Sequence, residues 1–315
     1  MIAVSDVTKK FGPVHAVQNA SFTINKGEHV AFLGRSGAGK TTLMNLLTGY
    51  VSCTHGSITV NGFDMLKNPL DAKKAIGYLP QVSPLYNDMT VDEYLNHICS
   101  LRRVPKTNRE TTAAQAAEQC KISEHIDRLI SNLSLGEKRR TALAGALCGN
   151  TDILICDEPT LGLEPVQKMQ MRSAIANVSK SRTLIVATSA IGDAQDLCEK
   201  IMIMRAGKIV AEDRLDNMTN TGGGKKRVCV RLAASRSTAA ALLNDVKGAD
   251  NIEYVGCMET GTCDFIVESF KRDLRADIFR ASADANIVLL ELKPMSVTLE
   301  ELFSELAARS GEGAP

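Results

Sequence analysis

The chain carries no excess of either charge: Lys and Arg total 37 against 36 for Asp and Glu, a net charge of +1 over 315 residues. That balance demands neither a nucleic acid nor an anionic membrane, and no nucleic-acid partner is expected. No uninterrupted apolar run approaches the roughly 18 to 20 residues of a membrane helix, and no charged-then-apolar leader opens the sequence. A membrane role is therefore expected to be peripheral. The nine cysteines include no C-x-x-C pair, and Cys99, Cys148, Cys156 and Cys198 lie in apolar stretches that read as core. Free thiols in a reducing compartment follow. Cys257 and Cys263 flank an expected hairpin turn that could bring them together, although two thiols near a turn are more often merely packed. Histidine is confined to the first part of the chain, at positions 15, 29, 55, 97 and 125.

What is present is chemistry for phosphates. Gly34-Arg-Ser36-Gly37-Ala38-Gly39-Lys40-Thr41-Thr42 follows the spacing G-x-x-x-x-G-K-[ST], between a strand-like run, His29–Leu33, and a helix carrying Leu43, Leu46 and Leu47. Glycines let consecutive N–H groups curl around phosphates, the helix presents its positive end, Lys40 neutralises charge and Thr41 offers a hydroxyl to Mg²⁺. A nucleoside triphosphate is the implied ligand. At the end of a second apolar run, Ile153-Leu-Ile-Cys-Asp157-Glu158-Pro159 places two acids where a parallel sheet would bring them beside the loop. Asp157 is then expected to hold Mg²⁺ and Glu158 to polarise the attacking water.

The length implies two domains. Alternation at Ile2 and Val4 and over Ser21–Ile24 predicts antiparallel strands, and a helix-rich stretch runs from about Thr90 to Leu147, opened by the capping box Thr90-x-x-Glu93. Buried strands Ile153–Cys156 and Thr183–Ala187, separated by a helix, imply a parallel sheet. A polar glycine-rich run, Thr219 to Lys226, marks the boundary. Beyond it the order βαββαβ predicts a small ferredoxin-like sandwich. A helix after Thr298, with Leu299, Leu302, Phe303 and Leu306 on one face, and a disordered tail, 310–315, complete the expected plan.

The first 220 residues resemble the ATP-binding subunit of an ABC transporter. Phe11 matches the aromatic that stacks on adenine, with Val17 as an apolar contact, and Gln81 matches the residue that reaches Mg²⁺ and the water. Leu133-Ser134-Leu135-Gly136-Glu137 resembles the signature that binds the γ-phosphate on the opposite subunit, which implies contacts from Ser134, Gly136 and Glu137. Thr160-Leu-Gly-Leu-Glu164-Pro165 occupies the D-loop position, and Met204–Ile209 the closing hairpin. The resemblance implies an α/β fold: an ABC-type P-loop NTPase with a mixed sheet core, an antiparallel β subdomain and a helical subdomain at about 83–147. A linker, 221–226, and a small α/β domain, 227–309, would follow. ATP and Mg²⁺ would bind in a dimer of ATP-binding subunits serving a separate transmembrane permease, peripheral to the cytoplasmic face of the cell membrane. Pro84-Leu-Tyr86-Asn-Asp-Met-Thr-Val-Asp-Glu-Tyr94-Leu and Leu299-Glu-Glu-Leu-Phe303 are similar to ATPases of ABC-2-type exporters, including gliding-motility and copper-related groups.

The family places a γ-phosphate histidine where this chain has Ser189, and every histidine precedes Asp157. A serine makes a neutral hydrogen bond with less reach and no charge. Glu164 also replaces the usual aspartate, and Leu135 and Glu137 the commoner glycine and glutamine. Binding with slow hydrolysis, or pairing with a non-identical subunit, is the expectation. An ATP-gated assembly clamp stands as the alternative to an export motor, and a soluble factor acting on ribosomes or DNA as a third reading.

Overall fold

Four strands of the first unit alternate between buried and exposed positions and form one antiparallel sheet. In this computed structural model, which describes residues 1–149, 151–215, 217, 226–269 and 272–295, β1 (Ile2–Phe11) pairs with β2 (Val14–Ile24) and with the later β4 (His55–Val60), itself paired with β5 (Phe63–Asp64). Ile2, Val4, Phe22 and Ile24 point into a core shared with Leu43, Met44 and Leu47 of the first helix, α1 (Lys40–Leu47).

A second sheet has the order β10-β9-β3-β8-β7-β6. Its members are β3 (His29–Leu33), β6 (Ile76–Leu79), β7 (Ile153–Asp157), β8 (Thr183–Thr188), β9 (Lys200–Arg205) and β10 (Lys208–Arg214). β7 and β8 are buried at every residue, as expected of parallel strands covered on both faces. The register decides where the chemistry emerges. Leu33 is level with Thr188, Asp157 with Ala187, and Leu79 with Cys156. The residues that follow these strand ends, Gly34, Ser189, Glu158 and Gln81, therefore leave the sheet along one carboxyl edge. β9 and β10 are joined by Ala206-Gly207, both at positive φ, the two-residue turn that only an antiparallel hairpin uses.

Helices flank this framework: α2 (Pro69–Lys74), α3 (Val91–Leu101), α4 (Arg109–Gln119), α5 (Leu135–Leu147), α6 (Pro165–Ser179) and α7 (Ile191–Leu197). The Thr90/Glu93 capping box forms, with Glu93 N donating to Thr90 Oγ1 and Thr90 N to the Glu93 carboxylate.

The chain divides between Asp213 and Arg214 into two compact units. In the second, β11 (Lys226–Leu232), α8 (Arg236–Asn244), β12 (Asn251–Gly256), β13 (Cys263–Ser269), α9 (Arg275–Asp284) and β14 (Leu289–Met295) follow in the expected order. Their antiparallel sheet, β12-β13-β11-β14, is that of a ferredoxin-like sandwich, with Val228, Val230, Phe265 and Val267 packed beneath Leu243 and Ile278. Most of the glycine-rich linker, the helix expected after Thr298 and the tail lie outside the described residues. Among those described, no helix is long and apolar enough to cross a membrane.

Leu43, fully buried between the two sheets, carries a direct test of this core. Leu43→Ala is expected to lower unfolding free energy by about 2 to 5 kcal/mol, measured by urea denaturation of the whole chain.

Candidate functional site

The loop before α1 is held open from three sides. Gly34 N donates to Thr188 O at 3.2 Å, and Gly207 N donates to Ala38 O at 3.0 Å. Gln18 fastens the β9–β10 turn, its N donating to Gly207 O at 2.8 Å and its Nε2 to Ala206 O at 2.9 Å. Gly39 caps α1 at φ 100°, where a Cβ would strike the Ala16 carbonyl. Gly37, at φ 81°, faces open space, as a loop must if main-chain N–H groups are to approach a ligand.

Lys40 is only 5% exposed. Its ammonium donates to Gly34 O at 2.7 Å and Arg35 O at 3.2 Å, and lies 3.1 Å from Glu158 Oε1. Glu158 Oε2 in turn accepts from both the backbone N and the hydroxyl of Ser189, each at 3.1 Å. The three side chains form one line: ammonium, carboxylate, hydroxyl. Glu158 also sits at φ 45° with its N donating to Ala187 O at 2.7 Å. A non-glycine residue in this left-handed region is costly, by about 1 to 3 kcal/mol, and such strain clusters at reactive sites.

Asp157 lies behind this line, fully buried. Neither carboxylate oxygen meets a hydrogen-bond partner of proper geometry, although the Thr41 hydroxyl is near enough to favour ionisation. Burial dominates and holds the carboxyl above the usual aspartate range; Glu158 adds to the rise, while Thr41, Lys40 and Arg139 oppose it. A buried acid with unmet oxygens beside a threonine hydroxyl suits a hard cation that prefers oxygen ligands.

In front of these groups opens a cavity of about 810 Å³, within the range of about 300 to 1,000 Å³ typical of small-molecule sites. Ser36, Gly37, Gly39, Lys40, Thr41 and Thr42 form one wall; Gln81, Glu158 and Ser189 face them. Gly34, Ala38 and Asp157 support the wall from behind rather than lining it. Val17 departs from the expectation. It is fully buried in the core, and the cavity is lined there by Val14, His15 and Ala16. The cause is an irregularity in β2: Asn19 takes φ 46° and the register with β1 shifts between Val7 and Lys9. That shift reverses the parity that strict alternation from Phe22 and Ile24 would give. Phe11 is also not part of the wall; it is 51% exposed at the hairpin tip, with the Lys9 ammonium 5.0 Å from its ring.

Ser134, Gly136 and Glu137 lie away from this cavity, at the start of α5. Ser134 caps the helix, its hydroxyl accepting from Glu137 N at 3.4 Å while Ser134 N donates to Glu137 Oε2 at 2.6 Å. His125 Nε2 stands 3.0 Å from Glu137 Oε1. Burial pushes the Glu137 carboxyl up, but the two Ser134 hydrogen bonds together with His125 and Arg128 outweigh it and hold the group below the usual glutamate range.

Sequence patterns did not reveal the polar support beneath Ser189. Buried Asp193 accepts from Thr160 Oγ1 at 2.7 Å, from Thr188 Oγ1 at 3.1 Å and from Arg172 Nε at 2.7 Å. It ties the segment after Glu158 to the strand end before Ser189 and to α6. Its residues are scattered between positions 160 and 193, so no local spacing announces them. Arg139, whose Nη1 donates to Pro80 O at 3.2 Å, was equally unmarked.

Comparison with known proteins bears on this arrangement. A family model described as ABC transporter matches residues 17–161. The lipopolysaccharide export system ATP-binding protein LptB of Haemophilus influenzae is 31% identical over 225 residues, covering 70% of this chain and 93% of LptB. The chain belongs to the ABC transporter ATP-binding protein family. The cassette is also 32% identical to YxlF of Bacillus subtilis, covering 69% of this chain and 72% of that one. It is 32% identical to YbhF of Escherichia coli, described as a probable multidrug ABC transporter ATP-binding protein, over 71% of this chain. The match spans only 39% of YbhF. Among solved structures, a dimeric bacterial ABC transporter cassette superimposes with TM-score 0.61 at 25% identity, covering 68% of this chain and 99% of that one. A dimeric cassette bound to ADP and Pi gives 0.62 at 23% identity over the same shares, a likeness of fold.

The Asp157 carboxyl sets a pH test for the cassette. Its folded pKa is raised, so ionisation weighs against the native state, and stability falls as pH climbs from the unfolded value through the folded one. With divalent cations chelated, Asp157→Asn is expected to be more stable than the parent near pH 7, the gap closing towards about pH 4. Urea midpoints across that range measure it.

Proposed function

We propose that this cassette binds ATP with Mg²⁺, hydrolyses it slowly, and drives a separate permease of an ABC-2-type exporter. The observation that carries the reading is the convergence of Lys40, Thr41, Gln81, Glu158 and Ser189 on one cavity, with Asp157 buried behind it. Thr41, Gln81 and Asp157 are the candidate Mg²⁺ ligands. Among the described residues no group of three or more His, Cys, Asp or Glu could hold a metal, which suits a cation taking its remaining ligands from phosphate and water. Bound Mg²⁺ would neutralise charge on the phosphate oxygens.

The chain's own groups then divide the work. Lys40 exchanges Glu158 for phosphate oxygens, and loop N–H groups from Ser36 to Thr42 share the remaining charge. Glu158, released at Oε1 but still held at Oε2 by Ser189, is free to orient the attacking water. Ser189 spends its hydroxyl on Glu158 and brings no cation to the γ-phosphate, so the transition state lacks a stabilising charge. Ser134 and Gly136, remote from this cavity, would complete the site of a second ATP-binding subunit in a head-to-tail dimer. Residues 1–220 would act as the motor, 83–147 as its helical arm and 227–309 as an appended module. The exporter subclass rests on the likeness of Pro84–Leu95 to that group and on LptB being described as part of an export system; a location peripheral to the cytoplasmic face of the membrane rests on the role of an ATP-binding subunit beside a permease.

A low-turnover assembly clamp is the second reading, favoured by the serine at position 189. Steady-state hydrolysis by the purified chain distinguishes the two. The motor reading expects measurable turnover, abolished by Glu158→Gln with MgATP binding retained, and a rise of about tenfold or more in Ser189→His. Turnover unaffected by Glu158→Gln would overturn the assignment of the base.

A further inference from the structure

We propose that Cys257 and Cys263 form a dithiol site that reacts with low-molecular-weight disulfides and closes to an intramolecular disulfide. The two thiols are free, and their sulfurs stand 3.8 Å apart. Their positions follow from the β12–β13 hairpin. Gly256 is paired with Asp264, so Cys257 leaves β12 directly opposite the residue that begins β13, Cys263. Cross-strand neighbours of this kind lie within the Cα separation that a disulfide spans.

The turn between them is already tied. Asp264 Oδ2 accepts from Met258 N at 3.0 Å, which joins the residue after one cysteine to the residue after the other. Arg231 grips both sides, its Nε 2.7 Å from Asp264 Oδ1 and its Nη1 3.3 Å from Glu259 Oε1. Thr262 Oγ1 donates to Glu259 O at 2.8 Å, and Gly261 takes φ 81° to complete the reversal. With the chain closed by these bonds, little ordering is left for disulfide formation to supply.

The two thiols differ in access. Cys257 is exposed, whereas Cys263 is 4% exposed. Tyr254 holds the exposed sulfur, its hydroxyl 3.1 Å from Cys257 Sγ, and the Arg236 guanidinium stacks 4.3 Å above the Tyr254 ring. Cys257 is thus the entry thiol and Cys263 the resolving one. The Cys257 thiolate attacks one sulfur of a disulfide RSSR, forming Cys257–S–S–R and releasing RS⁻. The Cys263 thiolate then attacks the Cys257 sulfur, breaking that bond and releasing a second RS⁻. The two thiol protons pass to the departing thiolates, so RSSR is reduced to two RSH while the protein loses two hydrogens. Reduction by an excess of RSH reverses the sequence. Oxidation staples the end of the hairpin, the sulfurs closing from 3.8 Å to about 2.05 Å.

The test uses the whole reduced chain, equilibrated in glutathione buffers of graded oxidation, acid-quenched, alkylated and mapped by mass spectrometry. The expected product has lost two hydrogens, with Cys257 linked to Cys263. Cys263→Ser is expected to hold a glutathione adduct on Cys257 at about ten times the parent's level or more, because the resolving thiol is gone. Cys257→Ser should leave Cys263 reduced. A lasting glutathione adduct on Cys257 in the parent chain, a Cys257 link to any other cysteine, or both thiols staying reduced in glutathione disulfide would each overturn the proposal.

Discussion

A buried ammonium needs a counter-charge, and Lys40 finds it in Glu158. Most features of the site follow from that requirement. Lys40 cannot sit at the first turn of α1, 5% exposed, unless the loop carbonyls of Gly34 and Arg35 and the Glu158 carboxylate share its charge. Glu158 can reach it only because the chain adopts φ 45° directly after β7. Ser189 fixes the other carboxylate oxygen by backbone and hydroxyl together. Under the proposed function this arrangement is ready for exchange: a ligand rich in negative oxygens would offer Lys40 a better partner and free one oxygen of Glu158 while the other stays anchored. A histidine at position 189 would contribute reach and charge towards a phosphate; the serine contributes orientation of the acid.

The scaffold makes this exchange local by aligning strand ends. β3, β8 and β7 stop at matched register, so three residues far apart in sequence meet along one edge without any long loop. Asp193 then braces the rear through Thr160, Thr188 and Arg172. Truncating it would leave the buried Thr160 hydroxyl and Arg172 Nε without the acceptor they use here, although Arg172 keeps its pair with Asp196. The second unit repeats the logic with simpler means: alternating strands, two helices, and a hairpin fastened by Arg231 and Asp264.

How much of this the sequence disclosed depends on whether the determining interactions were local. The phosphate loop was legible because its glycines, Lys40 and Thr41 act within nine consecutive residues, and the βαββαβ order because each strand and helix has its own periodicity. Val17 is assigned to the adenine by the family resemblance alone; in the structure it is buried in the core, on the side to which the irregular residue Asn19 turns β2, and single-residue bulges leave no compositional mark. Phe11 followed the family pattern, yet its position at a hairpin tip leaves the ring on the surface. Ser189 was recognised as a missing histidine, but its bond to Glu158 spans 31 residues of chain and emerged only from the register of β7 and β8. The nearness of Cys257 and Cys263, by contrast, was readable from a five-residue turn.

Titration calorimetry of MgATP against the intact chain, with Lys40→Ala alongside, tests the central claim most directly. The account predicts saturable uptake by the parent and loss of about tenfold or more in affinity on removing the ammonium that Glu158 now neutralises. Absence of uptake by the folded parent, or uptake indifferent to Lys40→Ala, would contradict it.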